Sequence, residues 1–166
     1  MSRLKSGKLR CDRRPVDVAE FCENLLEEIR LGDGKNHQFV GEISEAIAQP
    51  IPLDPDLVHH ILSNLLSNAC KYSPTNSLVT LRATYDEDGI HFVIADQGIG
   101  IPTTDQTHLF ESFFRASNVH TVPGTGLGLS IVQKYVQIHG GAINFASKLN
   151  SGSTFTVSLP IPTEPD

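Results

Sequence analysis

The sequence predicts an α+β fold in which three main helices cover one face of a mixed, mostly antiparallel sheet of about five strands. The helices are predicted from apolar side chains that recur at helical spacing in residues 18–31, 54–72 and 126–139. The strands are predicted from short runs of β-branched and aromatic residues bounded by turn residues. Because both kinds of element mix within 166 residues, the length of one ordinary domain, we expect a two-layer α/β sandwich.

The composition is typical of a soluble globular domain. Apolar residues account for 39% of the chain and charged residues for 19%, and the net charge of −6 argues against a nucleic-acid surface. No run approaches the roughly 18 apolar residues of a membrane span. The three cysteines are too few and too scattered for a disulfide framework or a zinc site. We therefore expect a cytoplasmic domain that binds neither nucleic acid nor membrane.

Short strands and two helices are predicted in the first half of the chain. Residues 1–14 carry six Lys or Arg and one Asp, with little to bury, and we interpret them as a linker from an upstream segment. A short edge strand at residues 15–17 precedes the helix at 18–31, which ends at Gly32-Asp33-Gly34. Two further strands are predicted at residues 37–43 and 51–53.

The helix at residues 54–72 is the element around which we expect the domain to be arranged. Asp54 is its N-cap, and Pro55 suits the first turn. The apolar residues form one broad face, and a stripe of polar side chains runs along its edge: His60, Asn64, Asn68 and Lys71. Such a helix can pack on a sheet and line a polar cleft, although ordinary surface residues would give the same stripe.

The second half contains two predicted hairpins and one long connection. The strands are predicted at residues 78–85, 90–95, 142–147 and 154–159. Residues 97–125 are long for a connection inside a compact domain, which is typical of functional or disordered loops. We expect one domain over residues 15–160, followed by a C-terminal tail at residues 161–166.

Two glycine-rich segments indicate a binding site. Asp96 and the glycines after it directly follow a strand. The glycines would let the backbone approach a flat ligand, and the carboxylate could accept a hydrogen bond from an exocyclic amine of that ligand. A tight turn with a capping Asp would explain the same residues. The segment from Gly124 to Ser130 opens a helix whose free N–H groups would face an anion. It lacks the preceding strand of a Rossmann fingerprint and the lysine of a P-loop.

Five sequence boxes occur in order along the chain, at Asn64 to Ala69, Asp96 to Ile101, Leu109 to Arg115, Gly124 to Leu129 and Gly152 to Phe155. In type and order these boxes resemble those of the ATP-binding catalytic domain of sensor histidine kinases, within the family of gyrase-, chaperone- and MutL-like ATPases. The resemblance covers residues 15–160. It implies the fold of that family, the Bergerat fold, with a flexible ATP lid.

The resemblance implies a phosphate end of the site. Asn68 would ligate Mg²⁺, and Asn64, one helical turn earlier, would support the metal and the phosphates of ATP. Lys71 would neutralise phosphate charge. Arg115 is implied as a contact of the γ-phosphate, so that Asn64, Lys71 and Arg115 form the implied catalytic set.

The resemblance also implies an adenine end and a lid. Asp96 would read the adenine amine, and Tyr72 would lie against the adenine ring. The other implied contacts at this end are Gly98, Gly100, Ile101 and Thr154. The implied lid contacts are Gly124, Thr125, Gly126, Leu127, Gly128 and Leu129.

Position 64 separates two kinds of chemistry within the family. Hydrolytic relatives place Glu four residues before the metal-binding Asn, as a base that activates water. This chain has Asn64, which takes no proton at neutral pH. The resemblance therefore implies an enzyme, a protein-histidine kinase that transfers the γ-phosphoryl of Mg·ATP.

None of the seven histidines has the sequence setting of a phosphoacceptor. The expected partners are therefore a histidine-bearing dimerisation domain, supplied in cis or in trans, and a response regulator receiver domain. An anti-sigma-type serine kinase of the same fold is an alternative that the box at residues 109–115 and the long lid disfavour. A non-catalytic nucleotide-binding module is disfavoured by the presence of Asn68, Lys71, Asp96 and the lid glycines.

Overall fold

The computed structural model describes residues 4–5, 8–117 and 128–162, with side chains from residue 10 onward. This part of the chain has the predicted α+β class, because helices pack against one face of a five-stranded sheet with the apolar core between them. The helices are α1 (Val18–Leu31), α2 (Pro55–Lys71) and α3 (Gly128–Ile138), and a 3₁₀ helix covers Thr103–His108. No helix in these ranges has the length and apolar character needed to cross a membrane.

The main sheet is mixed, with the strand order β4-β6-β7-β9-β8. Its strands are β4 (Gln38–Ile43), β6 (Leu78–Asp86), β7 (Gly89–Ala95), β8 (Ala142–Lys148) and β9 (Gly152–Leu159). β4 and β6 are parallel, and the other neighbours are antiparallel. Two small antiparallel pairs stand apart from this sheet: β1 (Leu4–Lys5) with β2 (Lys8–Leu9), and β3 (Arg14–Val16) with β5 (Ile51–Leu53).

Most boundaries lie within two residues of the sequence prediction. The last strand begins at Gly152, two residues earlier than predicted, because Gly152 already pairs with Lys148. Gly152 has φ +92°, a left-handed conformation that glycine adopts without strain. The pairing of β3 with β5 was not predicted, and it fixes the chain immediately before α2.

The apolar face of α2 forms the centre of the core. Leu62 and Leu66 have 0% exposure, as do Val79 and Leu81 on the inner face of β6. Complete burial of an aliphatic side chain of this size contributes about 1.5–3 kcal/mol. Because this face is held against the sheet, the polar stripe of α2 is fixed at the edge of the core.

A buried junction joins the beginning of α2 to the end of α3. The carboxylate Oδ1 of Asp54 accepts the N–H groups of Asp56 and Leu57, each at 3.1 Å, and thereby caps α2. The N–H of Asp54 donates to Nε2 of His139 at 3.0 Å, and both residues have 0% exposure. The upstream chain also binds here, because the N–H of Asp12 donates to Oδ2 of Asp54 at 2.7 Å.

The same junction predicts how stability depends on pH. Burial lowers the pKa of His139 to about 4, so the folded chain keeps this ring neutral while the unfolded chain protonates it near pH 6.5. The unfolded state therefore binds the extra proton between pH 6.5 and 4, and the free energy of unfolding falls as the pH decreases through this range. We expect His139 to account for a loss of about 2 kcal/mol between pH 7 and pH 5.

Urea unfolding of the chain and of His139→Gln at both pH values measures this contribution. Gln offers an amide oxygen to the N–H of Asp54 and does not titrate. Between pH 7 and pH 5 the free energy of unfolding of His139→Gln should therefore fall by about 2 kcal/mol less than that of the wild-type chain. An equal loss in the two proteins would exclude His139 as the titrating group.

Candidate functional site

A cavity of about 390 Å³ lies between the polar stripe of α2 and several loops. Its walls are α2, residues 96–101 after β7, residues 109–116, the first turn of α3 and the beginning of β9. It brings together most of the predicted site residues: Asn64, Asn68, Lys71, Tyr72, Asp96, Gly100, Ile101, Arg115, Gly128 and Leu129. Residues that are far apart in sequence therefore form one site.

Asp96 is the acidic residue of the cavity wall, at the end of β7. Its Oδ1 accepts the N–H of Gly98 at 2.8 Å and the N–H of Ser153 at 3.2 Å. Among the described residues both bonds use Oδ1, which leaves Oδ2 as the acceptor for a ligand. Burial raises the pKa of Asp96, and the two backbone N–H groups lower it in part. The side chain of Asp96 is thus a partly buried hydrogen-bond acceptor that is held in a fixed orientation.

Gly98 joins the loop after β7 to the end of α2. A Cβ atom at this position would lie 2.5 Å from the carbonyl oxygen of Tyr72, which is closer than real side chains allow. The next residue, Ile99, donates its N–H to the same oxygen at 3.0 Å. Gly98 itself does not line the cavity, so its close approach is to the protein backbone. This contact holds Asp96 and Tyr72 on neighbouring walls.

Asn64 and Asn68 lie one helical turn apart on α2 and face the beginning of α3. A Cβ atom on Gly128 would lie 3.6 Å from Oδ1 of Asn64 and 3.9 Å from Nδ2 of Asn68. The Nδ2 group of Asn64 donates to the carbonyl of His60 at 2.8 Å, which orients its oxygen toward Gly128. The positive end of the α3 dipole thus meets two amide side chains, an arrangement suited to an anion.

Two cationic side chains complete the polar wall. Lys71 is exposed in the last turn of α2, one turn beyond Asn68. Arg115 is half-buried and lines the cavity from the segment at residues 109–116. The cavity therefore has a carboxylate at the end of β7, and it also has two cationic side chains and the N-terminus of α3. This distribution of charge matches a ligand with an amine at one end and phosphates at the other.

Some predicted site residues lie elsewhere. Thr154 does not line the cavity, because side chains alternate along β9 and its neighbours Ser153 and Phe155 face the cavity instead. Thr154 lies on a shallow depression beside Ser147 on the other side of Asp96. The predicted lid contacts at Gly124, Thr125, Gly126 and Leu127 lie outside the described residues, as do residues 118–123 of the long connection that was predicted to form the lid.

The cavity is also lined by residues that were not among the predicted contacts, although most of them lie within the sequence boxes. The apolar ones are Leu65, Ala69, Ile99, Leu109, Phe114, Ala116, Ile131 and Phe155, and the polar ones are Ser67 and Ser153. Ser67 could have been found, because it precedes Asn68 at the border of the polar stripe. Leu109 and Ala116 are buried although they lie in an irregular segment, and no periodic pattern marks such positions.

The donor set of the cavity suits a hard cation that is shared with a ligand. Within residues 10–117 and 128–162, no three His, Cys, Asp or Glu residues come together in a way that could hold a metal ion. The side chains of α2 that line the cavity carry three oxygens of this kind, the amide oxygens of Asn64 and Asn68 and the hydroxyl of Ser67, and the oxygen of Asn64 lies near Gly128. Mg²⁺ is commonly bound by one or two protein oxygens together with substrate phosphates and water, which fits this set.

The comparisons with known proteins give a consistent picture. The profile of the family described as "Histidine kinase-, DNA gyrase B-, and HSP90-like ATPase" matches residues 53–163. The chain is 32% identical to the solved structure of the mycobacterial sensor histidine kinase MprB. The match has a TM-score of 0.77 and covers 89% of this chain and 98% of that one.

Curated relatives are longer proteins. Sensor histidine kinase WalK of Bacillus subtilis is 30% identical over 168 residues, which are 99% of this chain and 27% of WalK. Circadian input-output histidine kinase CikA of Synechococcus elongatus is 34% identical over 169 residues, which are 96% of this chain and 22% of CikA. The chain thus spans 27% and 22% of the length of these two relatives.

Proposed function

Because the chain belongs to the family of histidine kinase-, DNA gyrase B- and HSP90-like ATPases, we propose that it is the ATP-binding catalytic domain of a two-component sensor histidine kinase. It transfers the γ-phosphoryl group of Mg·ATP to a histidine on a dimerisation domain, in the cytoplasm. A response regulator receiver domain accepts the phosphoryl group afterwards. The observation that carries this proposal is the single cavity in which Asp96 lies on one wall and the amide pair Asn64 and Asn68 on another.

The wall around Asp96 suits an adenine ring. Oδ2 of Asp96 accepts the exocyclic amine, while Ile101 and Phe155 supply apolar surface for the faces of the ring. Tyr72 packs at the border between this wall and α2. A purine with a carbonyl oxygen at that position, as in guanine, would place an acceptor against the carboxylate, so the site favours adenine.

The wall around Gly128 suits the triphosphate. Asn68 supplies the amide oxygen for Mg²⁺, and Asn64 orients the metal and the phosphates from one turn away. The metal, when bound, neutralises charge on the phosphate oxygens. Lys71 and the N–H groups at the beginning of α3 attract the same oxygens. Gly128 and Leu129, at the beginning of α3, line the same part of the cavity.

Arg115 is the residue that we assign to the transition state. Phosphoryl transfer requires positioning and electrostatic stabilisation more than covalent chemistry, and a guanidinium binds equatorial phosphate oxygens in two places at once. Asn64 replaces the basic Glu of hydrolytic relatives, so water in the site is not activated. The site therefore retains the γ-phosphoryl group until an imidazole nitrogen attacks it.

The test is a transfer experiment with the chain, a candidate dimerisation hairpin and γ-labelled ATP. Label on the hairpin that is labile in acid and stable in base supports transfer to histidine. Acid-stable label on a serine would instead support the anti-sigma-type serine kinase. Tight ATP binding with no label on any acceptor would support the non-catalytic module, and no ATP binding at all would refute the nucleotide site.

A further inference from the structure

A carboxylate outside the cavity contacts a hydroxyl inside it. Asp33 lies in the turn that follows α1, and its Oδ2 accepts the hydroxyl proton of Ser67 at 2.5 Å. Ser67 lines the cavity directly before Asn68, one helical turn after Asn64 and one turn before Lys71. The turn after α1 is thereby joined to the part of α2 that faces the triphosphate.

The turn that carries Asp33 is held in place by backbone hydrogen bonds. The N–H of Gly34 donates to the carbonyl of Ile29 at 2.8 Å, and the N–H of His37 donates to the carbonyl of Gly34 at 3.0 Å. Gly34 is buried, and a Cβ atom there would lie 2.3 Å from the ring of Phe39. The backbone of the turn is therefore fixed, and it holds the carboxylate of Asp33 next to Ser67.

The direction of this hydrogen bond determines what Ser67 can bind. A serine hydroxyl has one proton, and here Asp33 accepts it, so toward any further partner in the cavity the oxygen can act only as an acceptor. Phosphate oxygens need a donor and gain nothing from such a group. A metal ion or a metal-bound water needs an acceptor oxygen and is the matching partner.

The charge of Asp33 acts in the same direction. Asp33 and Asp96 both raise the pKa of the neighbouring Cys70 thiol, after burial as the main cause, so the negative field of Asp33 reaches the interior side of α2. Lys71 lies one turn beyond Ser67 and is the opposing charge on the same helix. The negative charge of Asp33 next to Ser67 favours a cation over a further anion at this point.

We propose that Ser67 binds the magnesium of the Mg·nucleotide complex through its hydroxyl oxygen, by way of a metal-bound water, and that Asp33 is the positioning residue that orients this hydroxyl. The inference rests on the proposed nucleotide site. It adds an oxygen that the sequence boxes do not assign, and it gives the turn after α1 a place in metal binding.

The experiment measures the affinity of the chain for ATP by calorimetry in excess MgCl₂ and in EDTA. The ratio of the two dissociation constants reports the metal contribution. Groups that orient metal ligands typically account for a 10- to 100-fold change in metal affinity, so Ser67→Ala and Asp33→Ala should each reduce this ratio about tenfold. In EDTA, Ser67→Ala should bind ATP as tightly as the wild type, and Asp33→Ala, which removes a negative charge, should bind it no more weakly. Because Asp33 acts through Ser67, the double variant should match Ser67→Ala alone.

Two variants serve as controls. Ser63→Ala removes a hydroxyl one turn earlier on α2 that bonds only to the carbonyl of His60 in the described part of the chain, and Glu42→Ala removes an exposed carboxylate on β4. Both should keep the wild-type ratio.

Three results would overturn the inference: an unchanged ratio in Ser67→Ala, equal weakening in MgCl₂ and EDTA, or additive effects in the double variant. Absence of ATP binding by the wild-type chain in both buffers would refute the proposed function instead.

Discussion

Replacing Asp96 with Asn should weaken ATP binding about 100-fold. A hydrogen bond to a charged group contributes about 1.5–3 kcal/mol, and in the variant the amide nitrogen of Asn would face the adenine amine, so that two donors oppose each other. The variant keeps an amide oxygen for the N–H groups of Gly98 and Ser153, so the loop after β7 should stay in place. Its amide nitrogen then faces the adenine amine, and neither group can accept. The same nitrogen can donate to the carbonyl of guanine, so the affinity for GTP should rise while the affinity for ATP falls. The preference for ATP over GTP should therefore decrease by more than the loss of ATP affinity alone.

Fluorescence competition with ATP and GTP on the purified chain measures both effects. Asp88→Asn is the matched control, because it makes the same change in the turn at the opposite end of β7. Acid pH should also weaken ATP binding to the wild-type chain, because burial raises the pKa of Asp96 and a protonated carboxyl loses its acceptor, whereas Asp96→Asn should lack this dependence. Unchanged ATP affinity in Asp96→Asn would remove this residue from the adenine site.

Asn68→Asp should lower both ATP affinity and phosphoryl transfer at least about 30-fold, because two like charges about 4 Å apart repel by several kcal/mol at the effective dielectric constant of a protein surface. The new carboxylate attracts magnesium but repels the phosphate oxygens that must reach the same ion. It also faces the beginning of α3, where Gly128 approaches the amide pair. The effect on affinity should be larger for ATP than for AMP, which lacks the β- and γ-phosphates.

Calorimetry with ATP and AMP, together with the labelled transfer assay, measures the Asn68→Asp variant. Asn144→Asp on β8 is the control, since it adds the same charge at an exposed position away from the cavity. Wild-type affinity and wild-type transfer in Asn68→Asp would exclude Asn68 as the metal ligand.

The fold was predictable where the pattern is local. The helices α1 and α2 were found because their apolar residues recur every three to four positions, and the hairpin of β6 and β7 because its turn is short. The pairing of β3 with β5 was not found, because two runs of three residues carry no periodic signal and lie 35 positions apart at Val16 and Ile51. The bond between Asp54 and His139 spans 85 positions and is equally invisible in the sequence.

The site was predictable where spacing on one element brings side chains to one side. Asn64, Asn68 and Lys71 lie on the cavity wall because a helical stripe keeps residues three and four apart together. Thr154 was predicted to contact the ligand, but its neighbours Ser153 and Phe155 line the cavity, because the predicted strand did not reveal which alternate side chains face inward. Leu109 belongs to the box at residues 109–115 but was not predicted to line the cavity, and the burial of Ala116 depends on tertiary packing that no short pattern records.

The parallel pairing of β4 with β6 has a consequence for the amide pair. Parallel neighbours need a crossover, and the crossover between these strands contains α2, which packs against the sheet and contacts both α1 and α3. Unwinding α2 would expose much of the core at once, so its amide hydrogens should exchange with solvent only when the whole domain opens. Asn64 and Asn68 are consequently preorganised in the nucleotide-free chain, and the entropic cost of ordering them falls on folding instead of on each binding event.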